Sequence, residues 1–328
     1  MFLGLLSSVF CYVSILLAVA FFTLLERKGL RYIQIRKGPN KVGFLGLPQP
    51  IADAVKLLTK ESTKPRISNY ALYLLRPVFS FVLALLLWQL YPRLYSLSYF
   101  KWGAMYFLCV SRINVYGTML AGWASNSKYA LLGSLRAIAQ TISYEIRMVL
   151  ILLFPLFLAG SFRFNEIVRS QQSQWFRLMM LPMLFVWFTT CIAETNRAPF
   201  DFAEGESELV SGFNIEYGSV GFTLLFLAEY ANILIIRLFT SLLFLGGTGL
   251  IFFDRDVVLM IKIVFFAFLF IWVRRAYPRF RYDLLMGLTW KRFLPFSLAI
   301  LLLHLMRRFH FYFSGLEFYK ILTLEVKD

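Results

Sequence analysis

The segment from Glu194 to Tyr217 concentrates carboxylates. It reads ETNRAPFDFAEGESELVSGFNIEY and contains one base, Arg197. It holds six of the eighteen acidic residues of the chain, namely Glu194, Asp201, Glu204, Glu206, Glu208 and Glu216. Carboxylates this close together titrate as a coupled group, so some of them would keep a proton near neutral pH. The cluster could therefore handle protons or cations, with a solvated acidic loop as the plainer interpretation.

Two further acids lie inside long apolar runs. Glu145 follows SLRAIAQTISY, and Glu229 lies within GFTLLFLAEYANILIIRLF. A charge near the centre of a bilayer costs about 2.5–3.5 kcal/mol on insertion scales, so it usually faces protein or water. Arg136 lies on the opposite helical face from Glu145. We therefore expect Glu145 to need a partner from another helix, a water-filled cavity or a proton.

Glu229 shares a helical face with apolar side chains, including Phe226. Burial disfavours the charged carboxylate, so Glu229 is a candidate proton carrier. Arg237, eight residues further on, is the alternative partner in a purely structural salt bridge. For Phe226 and Tyr230, spacing alone favours helix packing over contact with a ligand.

These residues must be positioned by a membrane-embedded helical fold. Of the 328 residues 59% are hydrophobic and 16% charged, and the mean hydropathy is +0.67. Apolar runs of 18 or more residues predict transmembrane helices. We predict an all-α polytopic membrane protein with about eight such helices, at Phe2–Leu25, Tyr70–Tyr91, Trp102–Trp123, Leu131–Gly160, Trp175–Ala193, Ser219–Gly246, Val257–Val273 and Phe293–Phe309.

A single transmembrane domain then covers residues 1–328. Its parts outside the helices include a basic loop at 26–69, the acidic loop at 194–218 and a C-terminal tail at 310–328. The first segment lacks a basic start and a cleavage site, so we expect a retained helix. The fourth and sixth segments are long enough to be tilted or broken.

The basic loop contains a predicted amphipathic helix after Pro48 and Pro50, since proline is tolerated in a first turn. Its apolar face comprises Ile51, Val55 and Leu58, and the other face comprises Asp53, Lys56 and Lys60. Such a helix can lie on a membrane surface or dock on a partner.

Orientation follows from lysine and arginine in the loops. Loops one, three, five and seven carry eighteen of these residues, against ten on the other side. The first set, which includes the acidic loop, is therefore expected on the cytoplasmic or matrix side.

Cofactor motifs are missing. The three cysteines fall in apolar segments without cluster spacing, and the two histidines lie six residues apart near the C-terminus. Neither a Gly-x-Gly-x-x-Gly sequence after a strand nor a P-loop is present. We expect no metal site and no nucleotide, haem or iron–sulfur cluster on this chain alone, so partners must complete any redox chemistry.

Three long stretches carry a specific resemblance. AETNRAPFDFAEGESELVSGFNIEY, GPNKVG…QPIADAVKLLTKE and SNSKYALLGSLRAIAQTISYE are similar to the subunit 1 (subunit-H) family of respiratory complex I, the proton-pumping NADH:ubiquinone oxidoreductase. The resemblance implies a core membrane subunit that forms the membrane side of the ubiquinone entrance and chamber. It also implies the start of an acidic path that couples quinone reduction to proton translocation.

The resemblance assigns roles by matching position. The quinone passage or its edge would include Arg27, Asp53, Phe226 and Tyr230. The acidic path would include Glu145, Glu194, Asp201, Glu204, Glu206, Glu208, Glu216 and Glu229, with Arg136 lining the same region.

The resemblance also implies a setting. Ubiquinone would be a substrate, and FMN and iron–sulfur clusters would belong to partner subunits. Partners would be the peripheral-arm quinone-site subunits, neighbouring membrane-arm subunits and lipids, without nucleic acid. The location would be the mitochondrial inner membrane, with the four odd-numbered loops in the matrix, or alternatively a bacterial plasma membrane.

Three alternatives remain open at this point. A stand-alone secondary transporter also uses intramembrane acids. A subunit of a related membrane-bound hydrogenase would share the motifs but lack a quinone reaction. A purely structural membrane anchor would use the acids for stability alone.

Overall fold

The computed structural model describes residues 2–62, 65–92, 100–171, 176, 181–202, 205, 212–214, 216–246 and 255–306. In this part of the chain the regular structure is helical and no strand occurs. The helices are α1 Phe2–Ile33, α2 Gln49–Thr59, α3 Tyr70–Leu87, α4 Gly103–Ala124, α5 Lys128–Ala159, α6 Phe164–Ser170, α7 Leu181–Glu194, α8 Ser219–Phe244, α9 Arg255–Ala276 and α10 Tyr282–Met306. A π-helical turn at Thr289–Phe293 interrupts α10.

The predicted all-α polytopic membrane class is confirmed. Within the described ranges, six helices are long and apolar enough to cross a membrane: α1, α3, α5, α8, α9 and α10. Helix α4 has the length of a span, but Arg112 and Asn114 lower its hydropathy, and only 14 residues of α7 are described. The count of eight spans remains a prediction.

Some helix ends differ from the prediction. Helix α1 continues past Leu25 to Ile33, and α10 begins at Tyr282 rather than Phe293. Both differences have one cause, because charged residues such as Glu26 and Lys291 were assigned to loops although they continue a helix. Helix α5 runs unbroken through Pro155.

Helix α8 lies at the centre of the bundle. It packs against α3 on one side and against α1 and α9 on another, while α5 packs against α4 and α7. The buried core extends across these contacts and includes Trp187, Phe239 and Phe244. Helix α8 therefore contacts α3, α1 and α9 at once.

The contact between α4 and α5 depends on a glycine. A Cβ atom added to Gly122 would lie 2.0 Å from Ser134 Oγ and 2.8 Å from the Ala130 carbonyl oxygen. Ser134 is itself buried and donates to the Leu131 carbonyl. The two helix backbones can approach this closely only because residue 122 has no side chain.

Gly122→Ala is therefore expected to lower the free energy of unfolding by about 1–3 kcal/mol, the usual cost of overpacking. Gly287→Ala is the matched control, because a Cβ atom there meets open space and alanine favours the helix. Thermal inactivation of the purified assembly measures both. Equal losses of stability in the two variants would contradict this account of the α4–α5 contact.

The predicted amphipathic helix forms as α2, with Pro50 in its first turn. Its apolar residues Ile51, Val55 and Leu58 are exposed on the chain by itself. The helix also contacts α1 and α8. It is thus fixed against the bundle while its apolar face stays exposed.

Candidate functional site

A polar cavity lies between α3, α4, α8 and the end of α7. Its volume is about 80 Å³, which is room for several water molecules. Both Glu194 and Glu229 line it. Its other polar side chains are Arg76, Ser80, Ser111, Asn114, Thr118, Thr195, Asn196, Arg197 and Asn232. We call this space the carboxylate cavity.

Glu229 lies among compensating groups. The guanidinium groups of Arg197 and Arg76 attract its carboxylate, and the Asn214 side chain hydrogen-bonds it. Arg76 is 3% exposed, and its Nη1 donates to Asn214 Oδ1 over 3.5 Å. Arg237, the alternative partner from the sequence, instead lies between the rings of Phe22 and Phe270. Glu229 therefore interacts with two arginines from other segments, not with the arginine of its own helix.

Glu194 ends α7 and faces the same cavity. Its Oε2 atom is buried and has no hydrogen-bond partner within the described ranges. Gln140 of α5 holds the turn that follows, because its Nε2 donates to the carbonyls of Ala193 at 2.9 Å and Phe200 at 2.8 Å. An orphaned carboxylate oxygen in a cavity of this size can be satisfied by water.

Glu145 lies near this group but outside the cavity lining. It is 6% exposed, and Arg112 Nε of α4 lies 3.9 Å from its Oε2. Its Oε1 has no partner in the described part of the chain, and its charge interacts with that of Glu194. Of the three expected ways to compensate Glu145, the described residues show a partner from another helix, and that partner is a largely exposed arginine at a long distance.

The acidic loop is only partly described. Asp201 pairs with Arg279 Nη2 at 3.2 Å. Glu216 contributes its backbone, since its carbonyl accepts from Tyr73 Oη at 2.6 Å. The predicted residues Glu204, Glu206 and Glu208 lie outside the described residues. Arg136 lies beside Tyr282 of α10 rather than along the cavity lining.

An aromatic group fixes the end of this loop. The rings of Tyr73 and Tyr217 stack at 4.4 Å, and the Arg76 guanidinium lies 4.7 Å from the centre of the Phe213 ring. Burial raises the pKa of Tyr217 to about 12, so its hydroxyl stays neutral at physiological pH. The loop end is therefore anchored beside the arginine that faces Glu229.

The four residues predicted for a quinone passage form two separate contacts. Arg27 and Asp53 form an ion pair between α1 and α2, and Gln49 Nε2 also donates to Asp53, at 2.9 Å. On α8, the rings of Phe226 and Tyr230 lie 6.2 Å apart. The structure thus ties the exposed end of α1 to the amphipathic helix.

Glu26, which the sequence pattern did not indicate, joins this region to α8. It is 7% exposed, accepts from Tyr230 Oη at 2.7 Å and pairs with Arg274 of α9. Arg197 lies over the Tyr230 ring at 4.6 Å, so one arginine is next to both Glu26 and the carboxylate cavity. Gln140 and Arg76 were also missed. The rule for charges in apolar runs could have found Arg76.

Together the fold and the site define a class: a polytopic helical membrane protein with an internal cavity lined by carboxylates and arginines. A model of the NADH dehydrogenase family matches residues 6–305. The NADH-ubiquinone oxidoreductase chain 1 of Aedes aegypti is 52% identical over 97% of both chains. The protein of the same name from Heterololigo bleekeri is 55% identical, over 92% of this chain and 96% of that protein. That of Osphranter rufus is 49% identical, over 88% of this chain and 92% of that protein.

The chain therefore belongs to the NADH dehydrogenase family. The resemblance carried by the three motif stretches is confirmed.

Proposed function

We propose that this chain is a core membrane subunit of proton-pumping NADH:ubiquinone oxidoreductase. One structural observation supports the proposal independently of the names of the related proteins. Arg197 borders both the Glu26–Tyr230 contact and the cavity that contains Glu194 and Glu229. A charge change on one side of Arg197 can therefore act on carboxylates on the other side.

The quinone passage would run along the side of α8 where Tyr230 contacts Glu26. Phe226 and Tyr230 provide an aromatic surface, and the Arg27–Asp53 pair provides polar groups near the exposed end of α1. Ligand sites for apolar molecules usually combine such surfaces with a few convergent polar groups. This side of α8 is thus suited to border a quinone that enters from the membrane.

The acidic path would begin at the carboxylate cavity. Reduction of a quinone to a quinol takes up two electrons and two protons, and it creates transient negative charge while the protons lag behind. That negative charge would attract Arg197 and so weaken the attraction between Arg197 and the Glu229 carboxylate. Glu229 could then bind a proton. Glu194 and Glu145 would relay this change in protonation along the path. The other proposed members of the path are Glu204, Glu206, Glu208, Asp201, Glu216 and Arg136.

Partners would supply the rest of the reaction. This chain would hold no complete active site, and FMN and the iron–sulfur clusters would lie in other subunits. The peripheral-arm quinone-site subunits would dock on the loop side, where α2 exposes its apolar face. We place the chain in the mitochondrial inner membrane with that side in the matrix.

Isolation of the chain in its native assembly tests the proposal. Purification through an affinity tag in mild detergent should recover many other subunits, and the preparation should reduce a short-tailed ubiquinone with NADH. Recovery of the chain alone with solute transport would favour a secondary transporter. Hydrogen evolution without quinone reduction would favour the hydrogenase relative.

Gln140→Leu is expected to slow quinone reduction severalfold while the assembly stays intact. The variant keeps a similar side-chain volume but removes the two hydrogen bonds that hold the turn after Glu194. The loss of each hydrogen bond costs a net free energy of about 0.5–1.5 kcal/mol. Part of that cost is offset, because the buried Oε1 of Gln140 has no partner within the described ranges.

The NADH:quinone reductase rate measures the activity of the Gln140 variant, and a native gel measures how much of it assembles. Thr141→Val is the control, since the partners of the Thr141 hydroxyl among the described residues are the carbonyls of Ala137 and Ile138 in its own helix. A rate for Gln140→Leu equal to that of Thr141→Val would contradict a role in positioning Glu194.

A further inference from the structure

Arg237 is a buried cation on α8, and no carboxylate among the described residues forms an ion pair with it. It is 2% exposed, and the rings of Phe22 and Phe270 flank its guanidinium at 4.2 and 4.6 Å. Its Nε and Nη1 atoms have no hydrogen-bond partner among the residues that the structure describes. The rings hold the guanidinium in place, but they leave two of its donor nitrogens unsatisfied.

A small cavity lies beside Arg237. Its volume is about 10 Å³, close to the space needed for one water molecule. Glu26 and Arg237 both line it, together with Arg197 and Arg274. The remaining wall is mostly apolar, which leaves one compact polar space between an anion and several cations.

Glu26 has acceptor capacity for this space. Tyr230 donates to its Oε2 and Arg274 to its Oε1, and an ionised carboxylate offers about four acceptor positions. Arg237 and Glu26 attract each other, yet within the described residues the ion pair of Glu26 is made with Arg274. Charged groups that face each other across such a gap are commonly bridged by water.

We propose that this cavity binds one ordered water molecule, which accepts a hydrogen bond from Arg237 and donates one to the Glu26 carboxylate. The water satisfies a buried donor and an open acceptor position at the same time. It makes Arg237 a positioning residue for Glu26, and through Glu26 for the hydroxyl of Tyr230. The helices α1, α8 and α9 are thereby joined through the carboxylate of Glu26.

A cryo-EM map of the intact assembly, at a resolution that shows water, tests the site directly. We expect density within hydrogen-bonding distance of both Arg237 and Glu26. A direct Arg237–Glu26 ion pair, or a gap without density, would overturn the proposal. This result is decisive for the wild-type chain even if no variant assembles.

Two variants test the positioning role. Arg237→Met keeps an apolar stem of similar length without a donor, so the water should be lost and the Tyr230–Glu26 hydrogen bond displaced. Arg237→Lys should keep the water. Arg169→Met removes an exposed arginine on α6 and should leave both features unchanged.

A kinetic readout accompanies the maps, and it alone rests on the proposed quinone passage. The KM for a short-tailed ubiquinone should rise about fivefold in Arg237→Met with little change in kcat, and Arg237→Lys should restore it. An unchanged KM in a variant that has lost the water would overturn the positioning role. If wild-type maps show the water but no preparation reduces quinone, the proposed function fails and the water site stands.

Discussion

Replacement of Glu229 by glutamine is expected to slow NADH-driven quinone reduction on the order of a hundredfold, the lower range for loss of a proton-transfer group. Glutamine keeps the shape of the side chain and its hydrogen bond to Asn214 but cannot take up or release a proton. The proton-to-electron ratio in proteoliposomes should fall as well. NADH oxidation by an artificial acceptor should be unchanged, because the earlier redox steps would lie in partner subunits.

The control for this change is Glu166→Gln. Glu166 lies on the short helix α6 and pairs with Arg163, the residue that precedes the helix, and their side chains are 40% and 51% exposed. The same chemical replacement there should alter neither the rate nor the ratio. Normal coupling in Glu229→Gln, or an equal loss in both variants, would contradict a proton-carrying role for Glu229.

Glu26→Gln is expected to have the largest effect on stability. The Glu26 carboxylate is the acid shared by Arg274, Arg197 and Arg237, and it lies in the interior. Removal of one partner from a buried ion pair costs about 3–5 kcal/mol, because the remaining charge stays buried without compensation. That is a large part of the total stability of a typical domain, so little of the variant should assemble.

Asp53→Asn is the matched control for stability. It also breaks an ion pair to an arginine of α1, but the side chains of Arg27 and Asp53 are 50% and 32% exposed. Exposed pairs contribute about 0–1 kcal/mol, so this variant should assemble at close to the normal level. The amount of mature complex on a native gel and its thermal inactivation measure both variants. Similar losses for the two would show that burial does not decide the strength of these pairs.

The acids of the carboxylate cavity could be recognised from the sequence because a charge in or beside an apolar run is costly unless it faces protein or water. Glu229 was identified in this way and Glu194 as a member of the acidic cluster, and both line the cavity. The same rule applied to Tyr70–Tyr91 would have indicated Arg76. The cavity itself could not be predicted, because it depends on how α3, α4 and α8 pack around it.

Glu26 was missed for a different reason. It follows the apolar run of α1 directly and precedes Arg27 and Lys28, so its sequence context is that of the first residue of a basic loop. The helix in fact continues to Ile33, and this continuation places Glu26 against Tyr230 and Arg274. Its burial comes from α8 and α9, whose contacting residues lie more than two hundred positions away in the chain.

Gln140 shows a further limit of the sequence. Its side chain is neutral, and a glutamine in a helix gives no sign of its partners. Only the path of the turn after α7 brings two backbone carbonyls to its amide. Positioning residues of this kind require a structure, whereas the charged groups they position can be found without one.

The central claim is that carboxyl groups of the cavity change protonation when the quinone is reduced. Infrared difference spectroscopy of the intact complex, recorded on reduction of bound ubiquinone, observes this step directly. We predict a change in the stretching band of protonated carboxyl groups that is diminished in Glu229→Gln and in Glu194→Gln but retained in Glu166→Gln. Spectra of all three variants identical to the wild type would contradict the claim.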